Sequence, residues 1–196
     1  METWYRRRYK CICWVPEHPV RRALNREMQR KRNWAGLLRL HERKCRLHTF
    51  VRIAPKLTDA EYWEYLRFVW EDSETIFQYQ LLWAMLLSSN RGQRESFMDA
   101  EEREFLAALP ERFTVFRGYW PECGNENGLS WTLNRDIAIR LGSRRWSNVP
   151  GLDKPLRSKN ACEVAERSVG KVEVFAYLNS RGEEEIILVP NTRVAP

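Results

Sequence analysis

Apolar positions recur at helical spacing up to about Leu109 and then alternate or run together from Phe113 onward, so the chain divides into a helical half and a β-rich half. Between Val20 and Arg46, Ala23, Leu24, Leu37, Leu38 and Leu40 sit among charged residues, which predicts one or two basic amphipathic helices with a break at Trp34 and Gly36. Thr58-Asp59-Ala60-Glu61 has the form of a capping box, and Tyr62, Tyr65, Leu66, Val69 and Trp70 then fall on one helical face. A helix from about Glu74 to Ser88 is apolar on most sides, which places it in the middle of a helical layer; Asn90-Arg91-Gly92 ends it. The last helix of the series opens near Asp99, turns Phe105, Leu106 and Leu109 inward, and stops before Pro110.

Past Pro110 the period shortens. Phe113 to Tyr119 reads as a strand, Pro121 to Gly128 as a polar loop, and Leu129 to Leu133 as a second strand, after which Asn134 caps a short helix through Leu141. The stretch from Gly142 to Glu163, rich in Gly, Ser, Asn, Pro and Arg, reads as an excursion beside a site. In Lys171 to Leu178, Val172, Val174, Ala176 and Leu178 alternate with Lys171, Glu173, Phe175 and Tyr177; the turn Asn179-Ser180-Arg181-Gly182 leads to a final strand, Glu185 to Val189. The expected class is α+β, with a helical, basic region over 1–110 and a β-rich core over 111–196 forming one compact unit.

Length and composition allow a self-sufficient core, since nine Trp, eight Phe and seven Tyr are distributed over 196 residues. The most apolar stretch, Ile76 to Leu87, is interrupted by Gln78 and Gln80 and is too short to span a bilayer, so the expectation is a soluble, cytoplasmic protein with no membrane partner. Five cysteines without a secretory signal favour reduced thiols. Cys11-x-Cys13 and His41, Cys45 and His48 offer metal-ligand types, but two-residue Cys spacing is missing and no metal site is assigned.

Charge is uneven. Met1 to Arg52 holds fifteen Lys and Arg against four Asp and Glu, a net +11; Ile53 to Pro110 holds five against eleven, a net −6. A basic block of this density attracts an anionic partner, such as nucleic acid, an acidic protein face or an acidic membrane surface, unless it is a solvated helix face.

Three short motifs carry candidate chemistry. Arg117 lies within the apolar run Thr114-Val115-Phe116-Arg117-Gly118-Tyr119, where a buried guanidinium needs an anion. Ser130 and Thr132 flank Trp131, which alternates to the core side. Glu183-Glu184-Glu185 leads directly into Ile186-Ile187-Leu188-Val189, placing Glu183 and Glu185 on one side and Glu184 on the other.

This order resembles the arginine-serine-glutamate class of ADP-ribosyltransferases, which places an Arg on its first core strand, a Ser-x-Ser/Thr on the next, and a Glu-x-Glu before a late apolar strand. The likeness covers Phe113 to Val189; Gly-Leu-Ser-Trp-Thr-Leu followed by an Asp-containing helix also looks like small phage and bacterial members with effector or toxin-like roles. The resemblance implies a mixed, β-sandwich-like transferase core that takes NAD as co-substrate. It implies that Arg117 contacts a phosphate or ribose oxygen of NAD, with Gly118 and Tyr119 beside it. Ser130 would bond the nicotinamide ribose and orient the catalytic glutamate, and Thr132 would brace the backbone. Glu185 would stabilise the sugar cation left by nicotinamide, and Glu183 would position or deprotonate the acceptor, for which the family pattern points to an arginine of a protein. Tyr119, Trp120, Trp146, Phe175 and Tyr177 are the aromatic candidates for stacking on nicotinamide. Only twelve residues separate Arg117 from Ser130, short for members that carry a helix there.

Other readings of the same residues are an NAD glycohydrolase with water as acceptor, a transferase directed at nucleic acid, and a nucleic-acid- or protein-binding module or inhibitor without catalysis.

Overall fold

The computed structural model describes residues 19–73, 76–143 and 162–189, and among them seven α-helices and five β-strands form. Two compact units interleave in sequence. One contains α1 (Pro19–Arg30), α2 (Trp34–Leu40), α3 (Arg43–Ile53), α4 (Asp59–Glu71) and residues 91–97. The other contains α5 (Gln80–Leu87), α6 (Ala100–Ala108), α7 (Arg135–Gly142) and all five strands. The apolar helix expected in the middle of a helical layer, α5, therefore groups with the sheet.

In the helical unit the break falls at residues 31–33, just before Trp34, while Trp34 and Gly36 themselves lie within α2. Arg32 takes a left-handed backbone (φ 53°), and the Asn33 side chain accepts from the Gly36 amide at 2.9 Å to open α2. Trp34, Leu37, Phe50, Trp63, Leu66 and Trp70 are buried, whereas α1 buries none of its residues. The capping box on α4 closes in both directions: Glu61 N donates to Thr58 Oγ1 and Thr58 N donates to Glu61 Oε2. Arg91 then fastens residues 91–97 to the start of α4. Its guanidinium donates to the carbonyls of Ala54 (2.8 Å) and Leu57 (2.9 Å) and to Asp59 Oδ1 (3.1 Å) while lying 4.7 Å from the Tyr62 ring centre. Trp63 Nε1 donates to the Gly92 carbonyl at 2.7 Å.

His41 and His48 are both buried in this unit, and Cys45 is buried near them in sequence. Among the described residues no group of three His, Cys, Asp or Glu side chains is placed to hold a metal; Cys11 and Cys13 lie outside them.

The second unit is built on one sheet, in the order β3-β1-β2-β5-β4, with β1 Arg112–Tyr119, β2 Ser130–Thr132, β3 Glu163–Gly170, β4 Val174–Leu178 and β5 Glu185–Leu188. Every neighbouring pair is antiparallel. This corrects the expected mixed, sandwich-like core: among the described residues a single antiparallel sheet stands in its place. The connections explain why. A loop joins β1 directly to β2 and a tight turn joins β4 to β5, and such short links only pair antiparallel strands.

One sheet face carries Val115, Trp131, Val169, Tyr177, Ile186 and Leu188, with Leu106 and Leu109 packed against it. Phe105 stays 41% exposed, its ring stacked on Tyr177 at 4.3 Å. On the other face α7 crosses β1 so closely that a Cβ on Gly118 would overlap the Ala138 carbonyl and come within 2.8 Å of Gly142 Cα. β3 is a strand that the alternation did not announce. The residues after it, Lys171–Glu173, form a 3₁₀ turn rather than strand, which leaves Val172 92% exposed. No helix among the described residues is long and apolar enough to cross a membrane.

Two outcomes follow from this packing. Gly118→Ala forces backbone away from backbone and is expected to cost about 2–3 kcal/mol, read as a lower urea midpoint with unchanged slope. Burial and Arg52 together push the His48 imidazole down from 6.5 to about 4. The folded chain therefore binds fewer protons than the unfolded chain between these values, and its stability falls as pH drops from 6.5 towards 4, by about 2–3 kcal/mol in all. His48→Gln removes that share of the slope in a series of thermal melts.

Candidate functional site

Strand order makes neighbours of the three motifs, because β2 pairs with β1 on one side and β5 on the other. The register sets Phe116 opposite Thr132, Thr132 opposite Glu185 and Ser130 opposite Ile187, so Ser130, Thr132 and Glu185 share one face. Leu178 lies opposite Glu185 on β4, and Ala176 opposite Ile187. The Glu185 carboxylate thus stands among apolar neighbours, and its side chain is only 6% exposed. Such burial demands partners. Ser130 Oγ donates to Oε1, and Arg181 Nη2 lies 3.4 Å from Oε2.

The Glu183 side chain points the same way and is 12% exposed, with Oε2 2.8 Å from the same Arg181 nitrogen. Glu184 takes the other side, where its charge acts on Tyr177 in the core face, and its backbone is left-handed at φ 46°. That twist lets the segment bond β2 as main chain. Leu133 N donates to the Glu184 carbonyl at 3.1 Å, and Thr132 Oγ1 donates to the Glu183 carbonyl at 2.7 Å while accepting from Asn134 N. Asn179 holds the near end of the turn: its Oδ1 accepts from Glu184 N, and its own amide donates to Glu102 Oε1 at the start of α6.

Arg117 alternates with Phe116 and leaves β1 on the Val115 side, opposite to Ser130 and Glu185. Its guanidinium returns to them at the end of the β1–β2 connection. Nη1 donates to the Ser130 carbonyl at 2.5 Å and Nε to the Asn125 carbonyl at 2.9 Å. Burial lowers its pKa to about 10, and the nearby Glu185 charge opposes that fall, so it is cationic at neutral pH. Gly128 lies against it, and a Cβ there would have to push the guanidinium aside.

The remaining sequence candidates fall elsewhere. Gly118 serves the crossing with α7. Tyr119 donates its hydroxyl to Glu163 Oε2 at 2.7 Å, on the β3 side of β1 and away from β2. Trp120 Nε1 donates to the Gly142 carbonyl, and its amide donates to Asn125 Oδ1. Phe175 and Tyr177 are buried, Tyr177 in the core face; Trp146 lies outside the described residues. The twelve residues after Arg117 hold one 3₁₀ turn, Pro121–Cys123, and a left-handed Gly124.

Sequence reasoning missed Arg181, although its place two residues before Glu183 and four before Glu185, within a tight turn, is the spacing that brings it back onto both. It also missed Asn125, whose buried side chain and carbonyl organise the loop under Arg117. Comparison of the chain with family models, with curated proteins and with solved structures finds no match in any of the three.

Chemically the group has two poles joined by Ser130: a buried guanidinium at the end of β1 and a pair of carboxylates at the start of β5. Thr132 is 2% exposed and bonds two main-chain groups. Thr132→Val, equal in shape, leaves both without that partner and is expected to cost about 1–3 kcal/mol in chemical unfolding.

Proposed function

We propose that this chain is an NAD-dependent mono-ADP-ribosyltransferase that modifies a protein acceptor on arginine and releases nicotinamide. The observation that carries the reading is the buried Glu185 carboxylate, held by the hydroxyl of Ser130, whose main-chain carbonyl accepts from Arg117, on three strands that are neighbours in one sheet. The order of motifs that resembles the arginine-serine-glutamate transferases supports it from the sequence side.

In this reading Glu185 accepts a hydrogen bond from the ribose 2′-hydroxyl and stabilises the positive charge that develops at C1′ as the bond to nicotinamide breaks, the electron pair leaving with nicotinamide. Ser130 fixes the carboxylate rotamer, so that no reorganisation is needed as charge develops. Arg117 spends two N–H groups on main-chain carbonyls and offers the others to a phosphate oxygen. Glu183 receives the proton from the guanidino nitrogen as that nitrogen bonds to C1′. Thr132 keeps the Glu183 backbone against β2. The basic region over residues 1–52 would favour an acidic protein face as the target, and the same charge leaves a nucleic-acid acceptor as the competing outcome.

Incubation with NAD and a cell extract tests the reading. Glu185→Gln is expected to lower nicotinamide release by about a hundredfold or more, while Glu184→Gln stays within about threefold of the parent chain. Equal loss in both variants, or release by neither the parent nor the variants, overturns it. Label in protein gives the transferase, label in nucleic acid the alternative acceptor, and free ADP-ribose alone an NAD glycohydrolase.

A further inference from the structure

We propose that Arg181 is a specificity-determining residue of this site, a guanidinium of the chain's own that stands where an arginine acceptor must place its guanidinium. The inference rests on the transferase reading above. Both carboxylates of Glu183-x-Glu185 converge on a single nitrogen, Arg181 Nη2, at 2.8 and 3.4 Å. The two carboxylates are nearly covered, whereas the Arg181 side chain is 40% exposed and approaches them from the turn 179–182.

The turn is built to deliver it. Gly182 N donates to the Asn179 carbonyl at 2.9 Å, Gly182 takes a left-handed backbone (φ 62°), and Glu102 and Glu184 fix Asn179 from either side. These bonds are main-chain or belong to Asn179 and Glu102, and none of them uses the Arg181 side chain. The pair sets a 40% exposed guanidinium against nearly covered carboxylates, so a second guanidinium reaching them from solvent competes for the same oxygens. An incoming arginine therefore displaces Arg181 from Glu183, and its guanidino nitrogen inherits the carboxylate that takes its proton. Two consequences follow. Arg181 competes with the acceptor, and it supplies a counter-charge to both carboxylates until the acceptor arrives.

Agmatine, a small guanidino compound, serves as the acceptor probe in a steady-state comparison of the parent chain with Arg181→Gln and Arg181→Lys. With the competitor gone, Arg181→Gln is expected to lower the KM for agmatine about three- to fivefold, with the KM for NAD within about twofold of the parent. Arg181→Lys, which keeps the cation, stays close to the parent in both respects. An unchanged or raised KM for agmatine in Arg181→Gln, with nicotinamide still released, overturns this inference and leaves the transferase reading standing. If the parent chain releases no nicotinamide, with or without agmatine, the transferase reading falls and this inference with it. Thermal melts of the three proteins separate a KM effect from a loss of fold, and a Tm for Arg181→Gln far below that of the parent also counts against a residue placed for specificity.

Discussion

A carboxylate covered to 6% exposure at the first position of an apolar strand is the constraint that organises the β-rich unit. Glu185 has Leu178 opposite it on β4 and Ile187 two residues on, neither of which offers a hydrogen bond. Desolvating the charge is unfavourable by several kcal/mol unless donors replace water. The donors come from both sides in sequence, Ser130 from the neighbouring strand and Arg181 from the turn just before. β2 is only three residues long, yet it is the strand on which both pairings and the hydroxyl depend. The site and the sheet are therefore one structure.

Around that carboxylate the main chain does more than the side chains. Glu184 accepts an unfavourable left-handed backbone, of a kind that costs an ordinary residue about 1 kcal/mol, and in return the carbonyls of Glu183 and Glu184 both meet donors on β2 and just beyond it. Glu102 links the same turn to α6 while also closing the capping box with Asp99. On the opposite pole, the Arg117 guanidinium fills the space that a side chain on Gly128 would take, and Asn125 supplies the carbonyl beneath it.

Much of this was legible, and what was not has physical reasons. The capping box at Thr58 appears as read, and the helix expected to open near Asp99 does so with a box of its own, because a cap depends on local spacing alone. The strand containing Arg117 and the Ser-x-Thr strand appear where their short apolar runs placed them, and the 185–188 strand appears because it is buried at every position, which a continuous apolar run announces. β3 was missed because it pairs on one side only, and Glu163, Glu166, Arg167 and Ser168 are exposed, so little of its pattern is apolar. Val172 continues an apolar alternation in the sequence, but Gly170 and Glu173 close a turn around it through the bond from Gly170 N to Glu173 Oε1. Arg181 looked like turn polarity because no local rule says that a turn arginine folds back over the strand it precedes; the carboxylates that hold it are buried by tertiary packing.

The two poles also bear on which ligand the site favours. Arg117 remains cationic with a pKa near 10, and its partners are carbonyls, so its charge is solvated by dipoles but not neutralised by direct contact. Glu183 and Glu185 lie on the other side of Ser130 with their counter-ion half exposed. A ligand that gains at both ends must be anionic at one end and become cationic at the other. The dinucleotide of the proposed reading, with a diphosphate and a ribose that develops positive charge as its base departs, would have that polarity, whereas a nucleic-acid backbone is anionic along its whole length and would meet the carboxylates unfavourably. The polarity of the site thus separates its chemistry from the attraction exerted by the basic N-terminal residues. Salt would weaken the pull of an exposed basic helix such as α1 far more than it weakens groups covered by protein.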